Sequence, residues 1–421
     1  MANRHFPVRP NLDHLRHQAK DLLRAIRRKD PHALADFSEH HPDPLDPESA
    51  RLADAQFVLA RSYGIASWPR LVAACRMTDA LWRGDVEAVR AMVLRDRRLL
   101  DEDARGVKGN WGPPMSYAAN LGQDAIIEML RGLGASDLEH AFARACLQGQ
   151  VETARKLHGM LGGPRPPDDA LSGPAYTLNV EGTALVLELG VRLYDEQGRR
   201  LAPVDTVLET DSRNPEAKHR ILELYVEHGF MLPDTPTMAL HRGRIDLLEK
   251  HLNRDPNLLK RTFTFEEIYA SELGCHDEVL ATHGTPLAGT TLLHMCVDYD
   301  EIEIARWLLD RGMNVDEQAA VDSGGFGGHT ALFSTVVSQP NIWMNHRGQI
   351  PDAPFTRLLL EHGADPNARA SLRKQLHPGY EIDGMHEYLN VTPIGWGEQF
   401  HFKKLVNPAA MRLIAERGGM A

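Results

Sequence analysis

The sequence predicts an all-α protein assembled from repeated helix pairs, and three observations carry that prediction. Apolar residues recur at helical spacing in segment after segment. Short stretches of small residues ending in a turn glycine precede many of them. Related segments also return along the chain from residue 79 onward.

The N-terminal segment, residues 1–76, reads as a small helical domain. Leu12, Leu15, Ala19, Leu22, Leu23 and Ile26 fall on one helical face, with Asn11 placed to cap its start. Asp30-Pro31 and Asp46-Pro47 each set a capping Asp before a proline, the pattern of a helix beginning at the proline. Leu52, Ala53, Phe57, Ala60 and Tyr63 form a further stripe stopped by Gly64. Ser67 then opens a short helix with Trp68, Leu71, Val72 and Cys75. The first helix is rich in Arg and Lys, without the interleaved aromatic residues that single-stranded nucleic acid would want. Its basic face is expected to be a solvated outer surface on a domain covering one end of an array.

From residue 79 to 421 the chain repeats. The best copy runs from Gly289 to Gln318, GTTLLHMCVDYDEIEIARWLLDRGMNVDEQ. The next joins GGHTALFSTVV to FTRLLLEHGADPNAR, over residues 327–369. The glycines Gly289 and Gly328 lie 39 residues apart. Other copies begin at Leu81, Pro113, Thr237 and Asn390, whereas residues 164–232 keep the pattern only faintly. One helix pair cannot bury both of its faces, so neighbours must stack to make a continuous core.

These segments resemble ankyrin repeats, whose wording G-x-TPLH … LL-x-x-GAD-x-N is matched most closely by LLLEHGADPNAR at residues 358–369. The chain is similar to bacterial ankyrin-repeat proteins that carry a short helical N-terminal domain. The resemblance implies an ankyrin-repeat solenoid with an N-terminal helical capping domain, and a protein or peptide as partner. It also implies a structural role for His294, the His of the Thr291–His294 motif, as a hydrogen-bonding link between adjacent turns.

Bulk properties narrow the function classes. At 421 residues the chain exceeds the size of a single compact core. A net charge of -11 argues against long-range attraction to nucleic acid. Cys75, Cys146, Cys275 and Cys296 form no CxxC pair, which fits a reducing compartment and no zinc framework. The first residues have no apolar targeting run, and no stretch approaches a membrane span, so the expected location is cytoplasmic.

Candidate functional residues fall in two sets. The first lies after the paired small residues of each repeat, where side chains turn toward the concave groove: Trp82, Arg83, Asn120, Gln148, His241, Arg242, Asp298, Tyr299 and Ser338. This mixture of aromatic, cationic and amide groups suits recognition. The second set lies in three long connections before Gly289, Gly328 and Asn390, which should meet because successive fingers project from one edge. They carry His276, Asp277, His283, Asp322, His329, His386, Glu387 and Tyr388. No metal-ligand spacing, phosphate loop or nucleophile elbow occurs, so no metal or cofactor is expected. Two functions follow. One is an interaction scaffold that takes a protein or peptide on its concave face and finger loops. The other is a metal-free acid/base hydrolase or lyase, or a small-molecule binder, using His283, His329, Asp298, Asp322 and Tyr388 in a pocket between the C-terminal loops.

Overall fold

The structure is a computed structural model that describes residues 4–42, 46–210, 212–275, 284–338, 352–376 and 384–421. Helices dominate the described residues, and the chain divides into two compact units, Met1–Arg165 and Pro166–Ala421.

In the first unit the capping signals act as read, with one exception. Asn11 accepts a hydrogen bond from the His14 N–H at 2.9 Å and starts the helix Leu12–Arg27, which buries Leu15, Ala19 and Ile26. Asp30 accepts from the N–H groups of His32 and Ala33 and opens Pro31–His40. Asp46 was expected to open a helix at Pro47 and does not. Its carboxylate instead accepts from the Glu48 N–H at 3.2 Å while its carbonyl takes the Ser49 hydroxyl, closing a turn over residues 47–49. The next helix begins at Leu52, where the Arg51 N–H is taken by the Asp54 carboxylate. These helices bury two apolar clusters, one around Phe6, Leu15, Ile65 and Leu71 and one around Ile26, Phe37 and Val58.

The helix expected to be short after Ser67 is in fact sixteen residues long, Trp68–Arg83. It runs unbroken through residues 76–79 and ends where Gly84 takes φ 66°. Paired helices follow: Pro114–Asn120 with Asp124–Gly132, and Leu138–Gln148 with Val151–Met160.

The second unit begins with irregular pairs. Ser172–Tyr176 and Val180–Glu188 precede Val204–Glu209 and Pro215–Glu227. Regular pairs then succeed one another: Pro236–His241 with Ile245–Arg254, Leu292–Asp298 with Ile302–Asp310, Ala331–Val336 with Pro354–Glu361, and Pro393–Gln399 with Pro408–Glu416. In the central pair Ala305, Leu308 and Leu309 are buried as their helical spacing predicts, whereas Ile302, expected on the same face, is half-buried and Ile304 is buried instead. Burying a leucine such as Leu308 contributes about 1.5–3 kcal/mol, more than any helix-propensity difference along the segment. The turn between its helices is unusual. Asp300 holds φ 61° where the pairs at Gly84, Gly122, Gly149 and Gly243 use glycine. Asp tolerates this left-handed position better than a branched residue would.

One segment departs from pure helix. The third long connection contains a two-stranded antiparallel hairpin, β1 (Ala370–Lys374) and β2 (His386–Val391), with Leu372 opposite Tyr388 and Arg373 opposite Glu387. Alternation turns Ala370, Leu372 and Lys374 inward in β1, and in β2 a register shift between the Ala370 and Leu372 pairings lets Tyr388 and Val391, three residues apart, both turn inward.

Candidate functional site

The fingers of the second unit are tied in series by backbone hydrogen bonds. The Phe263 N–H donates to the Thr290 carbonyl and the Gly289 N–H returns to Phe263, both at 2.8 Å. The Ala320 N–H donates to the Gly289 carbonyl at 2.7 Å, and the Gly327 N–H to the Ser371 carbonyl at 2.7 Å. Glycine is required at residue 327. A Cβ there would stand 2.0 Å from the Ala320 carbonyl oxygen, and φ is 122°. The glycine-rich run 324–328 is thus a turn that lets one finger close against its neighbours.

Between these fingers lies a cleft of about 450 Å³. Thr264, Phe265 and Glu266 line one side, Ala288 and Gly289 the next, and Val321, Asp322, Phe326 and His329 the third. Leu372 and Arg373 of β1 complete it. Asp322 and His329 are therefore brought together. Asp322 is structurally committed. Its Oδ1 accepts from the N–H groups of Gly324 and Phe326, and its Oδ2 pairs with Arg373 at 2.7 Å. These backbone donors hold its carboxyl below the usual range. Arg373 in turn lies 5.1 Å from the centre of the Phe326 ring.

His329 is 1% exposed, and its Nε2 faces the Pro286 carbonyl at 3.1 Å. A carbonyl only accepts, so Nε2 carries the proton and Nδ1 is an acceptor. That Nδ1 is buried and has no hydrogen-bond partner among the described residues. Burial, with His294 alongside, pushes the imidazole down to about 3, so it stays neutral. His294 occupies the structural role its motif implied. Its Nδ1 accepts from the Thr291 hydroxyl at 2.9 Å, and its Nε2 donates to the His329 carbonyl at 3.0 Å.

The remaining candidates stand elsewhere. Tyr388 is buried against Trp396, and its hydroxyl meets His401 Nδ1 at 2.5 Å. His386 stacks on His401 with ring centres 4.0 Å apart, and Glu387 is exposed on β2. His276, Asp277 and His283 lie outside the described residues.

The groove positions do not form one open stripe. Arg83 and Gln148 are exposed and Trp82 is 36% exposed, its indole N–H donating to the Tyr117 hydroxyl at 2.8 Å. Asn120 is buried and accepts from Arg144 Nε at 2.8 Å. In the second unit His241, Asp298, Tyr299 and Ser338 are all buried. Only Arg242 is half-open there, pairing with Glu223 at 2.6 Å.

The reason is a set of residues that the repeat pattern did not flag. Arg213 pairs with Asp298 at 3.1 Å, and Lys218 with Glu301 at 2.9 Å, all four deeply buried. Both cations lie on the Tyr299 ring, at 4.5 and 4.4 Å from its centre, and the Tyr299 hydroxyl donates to the Leu208 carbonyl at 3.0 Å. His241 carries no charge there and donates from Nε2. Its Nε2 meets the Ile268 carbonyl at 2.9 Å, and burial holds it well below the ordinary imidazole value. Burial raises the Glu301 carboxyl, but Lys218 and His219 outweigh it and leave it below the usual range. Leu208, Arg213 and Lys218 thus pack around Asp298 and Tyr299 and fill the groove there. Phe265, Glu266, Phe326 and Arg373 at the cleft were also not anticipated, since only their finger neighbours give them a shared function. Among the described residues no group of three or more His, Cys, Asp or Glu side chains is arranged to hold a metal.

The family comparison matches one segment of the repeat pattern. The family model described as "Ankyrin repeat" matches residues 288–320. No curated protein matches the chain. Among solved structures, the human ASB11 ankyrin repeat domain aligns at 14% identity and a TM-score of 0.22, covering 82% of this chain and 98% of that one. The ankyrin repeat domain of Bcl-3, a member of the IkappaB family, aligns at 15% identity and a TM-score of 0.20, covering 81% and 97%. Residues 288–320 thus match the ankyrin repeat, one segment of this helical chain.

Proposed function

We propose that this protein is an interaction scaffold whose partner, a protein or a peptide, docks on the finger edge of the second unit. The observation that carries this reading is the cleft between the fingers, which combines the aromatic Phe265 and Phe326 with small residues and the carboxylate of Glu266. Val321 stands at its rim with 61% of its surface exposed, an apolar contact without a neighbour to cover it. The concave positions contribute less in the second unit, because Asp298, Tyr299 and His241 are already packed. In the first unit Trp82, Arg83 and Gln148 stay available to a partner. Residues 1–76 are best taken as the cap of the array, their basic helix facing water.

The acid/base alternative draws no support from the geometry. His329 is held neutral, Asp322 is committed to its own turn and to Arg373, and Asp298 is committed to Arg213. The four cysteines are free and buried, in keeping with a reducing, cytoplasmic setting. No described helix is long and apolar enough to cross a membrane.

The test is selection of binders from a displayed random-peptide library on the full chain. Binders should be recovered, and Val321→Asp should weaken them at least tenfold with an unchanged melting temperature. Recovery of none, or binding indifferent to Val321→Asp, would remove the finger edge as the docking site.

A further inference from the structure

The polar groups of the finger cleft are almost all acceptors. His329 Nδ1 is a buried lone pair with no partner among the described residues, kept unprotonated by the Nε2–H···O bond to Pro286. Glu266 is exposed and has no ion-pair partner among the described residues. Asp322 adds a second carboxylate. The one lining cation, Arg373, is already bound to Asp322 and set over Phe326. No lining side chain therefore offers a free charged donor. Phe265 and Phe326 supply aromatic surface.

A site of this make-up has an unfilled need for hydrogen-bond donors carried on a cation. A carboxylate or phosphate would meet Glu266, the carboxylate without an ion-pair partner among the described residues, and be repelled. A purely apolar side chain would desolvate the Glu266 carboxylate without giving it a donor, which is costly. An ammonium group would satisfy the charge, but it is a compact, strongly hydrated point. A guanidinium is planar, weakly hydrated and carries five donors, so it can face an aromatic ring and a carboxylate together. The excess of acidic groups over the whole chain, a net charge of -11, favours a basic partner on approach.

We infer that the finger cleft, lined by Phe265, Glu266, Phe326 and His329, is the anchor site for an arginine side chain on an extended peptide segment of the partner. This inference rests on the reading of the chain as a peptide-binding scaffold and names the chemistry of what it takes.

A library of capped hexapeptides, each pool with one position fixed, tests it on the full-length protein. Pools with fixed arginine should bind best at one position, and exchange of that arginine for citrulline, its uncharged near-isostere, should weaken binding at least tenfold. Lysine should fall between the two. Glu266→Gln lies on an exposed side chain and should lower the preference for arginine over citrulline several-fold without changing the melting temperature. Glu416→Gln, an equal loss of charge on the last helix, should leave it unaltered. Peptides that bind at the cleft with no arginine preference would overturn the inference while leaving the scaffold reading intact. An arginine preference equally sensitive to both substitutions would overturn it as general charge attraction. Failure of every pool would overturn the scaffold reading itself.

Discussion

His294 and His329 show how much a single tautomer can decide. Each imidazole donates from Nε2 to a carbonyl, His294 to His329 and His329 to Pro286, so two neighbouring turns are locked in sequence. The expected outcome of His294→Ala is a loss of about 1–3 kcal/mol in urea unfolding, because the Thr291 hydroxyl and the His329 carbonyl lose a partner inside the core. Peptide binding by the folded fraction should survive. Acid should act through the same residues. Burial lowers His294 to about 4 and His329 to about 3, and it lowers His241 as well. The unfolded chain takes up protons at these residues first as pH falls below about 6.5, so their contribution is complete above that value. It is lost progressively as pH falls toward about 4. The urea midpoint should accordingly drop between pH 7.5 and pH 5, by the equivalent of roughly 1–3 kcal/mol per buried imidazole. A midpoint equal or higher at pH 5 would contradict the assignment.

The pair Arg213–Asp298 carries a different kind of prediction. With both side chains 2% exposed, removal of one leaves an uncompensated charge. Asp298→Ala should therefore cost about 3–5 kcal/mol, whereas the double change Arg213→Met with Asp298→Leu should cost less than the single one. Equilibrium denaturation of the two singles and the double closes this cycle.

For the elements, the fingers matter more than the helices they join. Each finger is held to the next by one or two backbone hydrogen bonds, and Asp322–Arg373 ties the third to the hairpin. Such a chain of weak links is sensitive at its closest approach. Gly327→Ala drives a Cβ into the Ala320 carbonyl and strains the backbone at φ 122°. It should spoil the cleft and abolish peptide binding while far-UV circular dichroism stays helical, because the finger contributes little to the helical core. Retained binding in Gly327→Ala would show that the fingers do not need their close packing. Asp322→Ala should loosen the same turn with a smaller effect, since it removes a cap rather than adding a clash.

At the scale of the molecule, the two units have separate cores. The first rests on clusters such as that of Phe6, Leu15 and Leu71, and the cleft lies wholly within residues 166–421. A fragment of residues 166–421 should accordingly fold to a helical state and keep the arginine preference of the whole chain, read by the same peptide titration. Loss of binding in a well-folded fragment would mean that residues 1–165 contribute to the site.

Local patterns were enough for much of this protein. The apolar spacing of Ala305, Leu308 and Leu309, the caps at Asn11 and Asp30, and the motif histidine could all be read directly, because each depends on residues within a few positions. The glycine-rich turn and the meeting of Asp322 with His329 were legible too, since stacked repeats keep their fingers in order. Asp46 was misread because a turn satisfied its carboxylate within two residues, a competition that sequence spacing cannot resolve. What only the tertiary structure decided was access. Asp298, Tyr299 and His241 have the sequence position of groove residues, yet Arg213 and Lys218, some 80 residues before Asp298 and Tyr299, occupy the space in front of them. Exposure and hydrogen-bond satisfaction are set by whatever packs across from a side chain, so the cleft with its unpaired His329 nitrogen emerged only from the packed fingers.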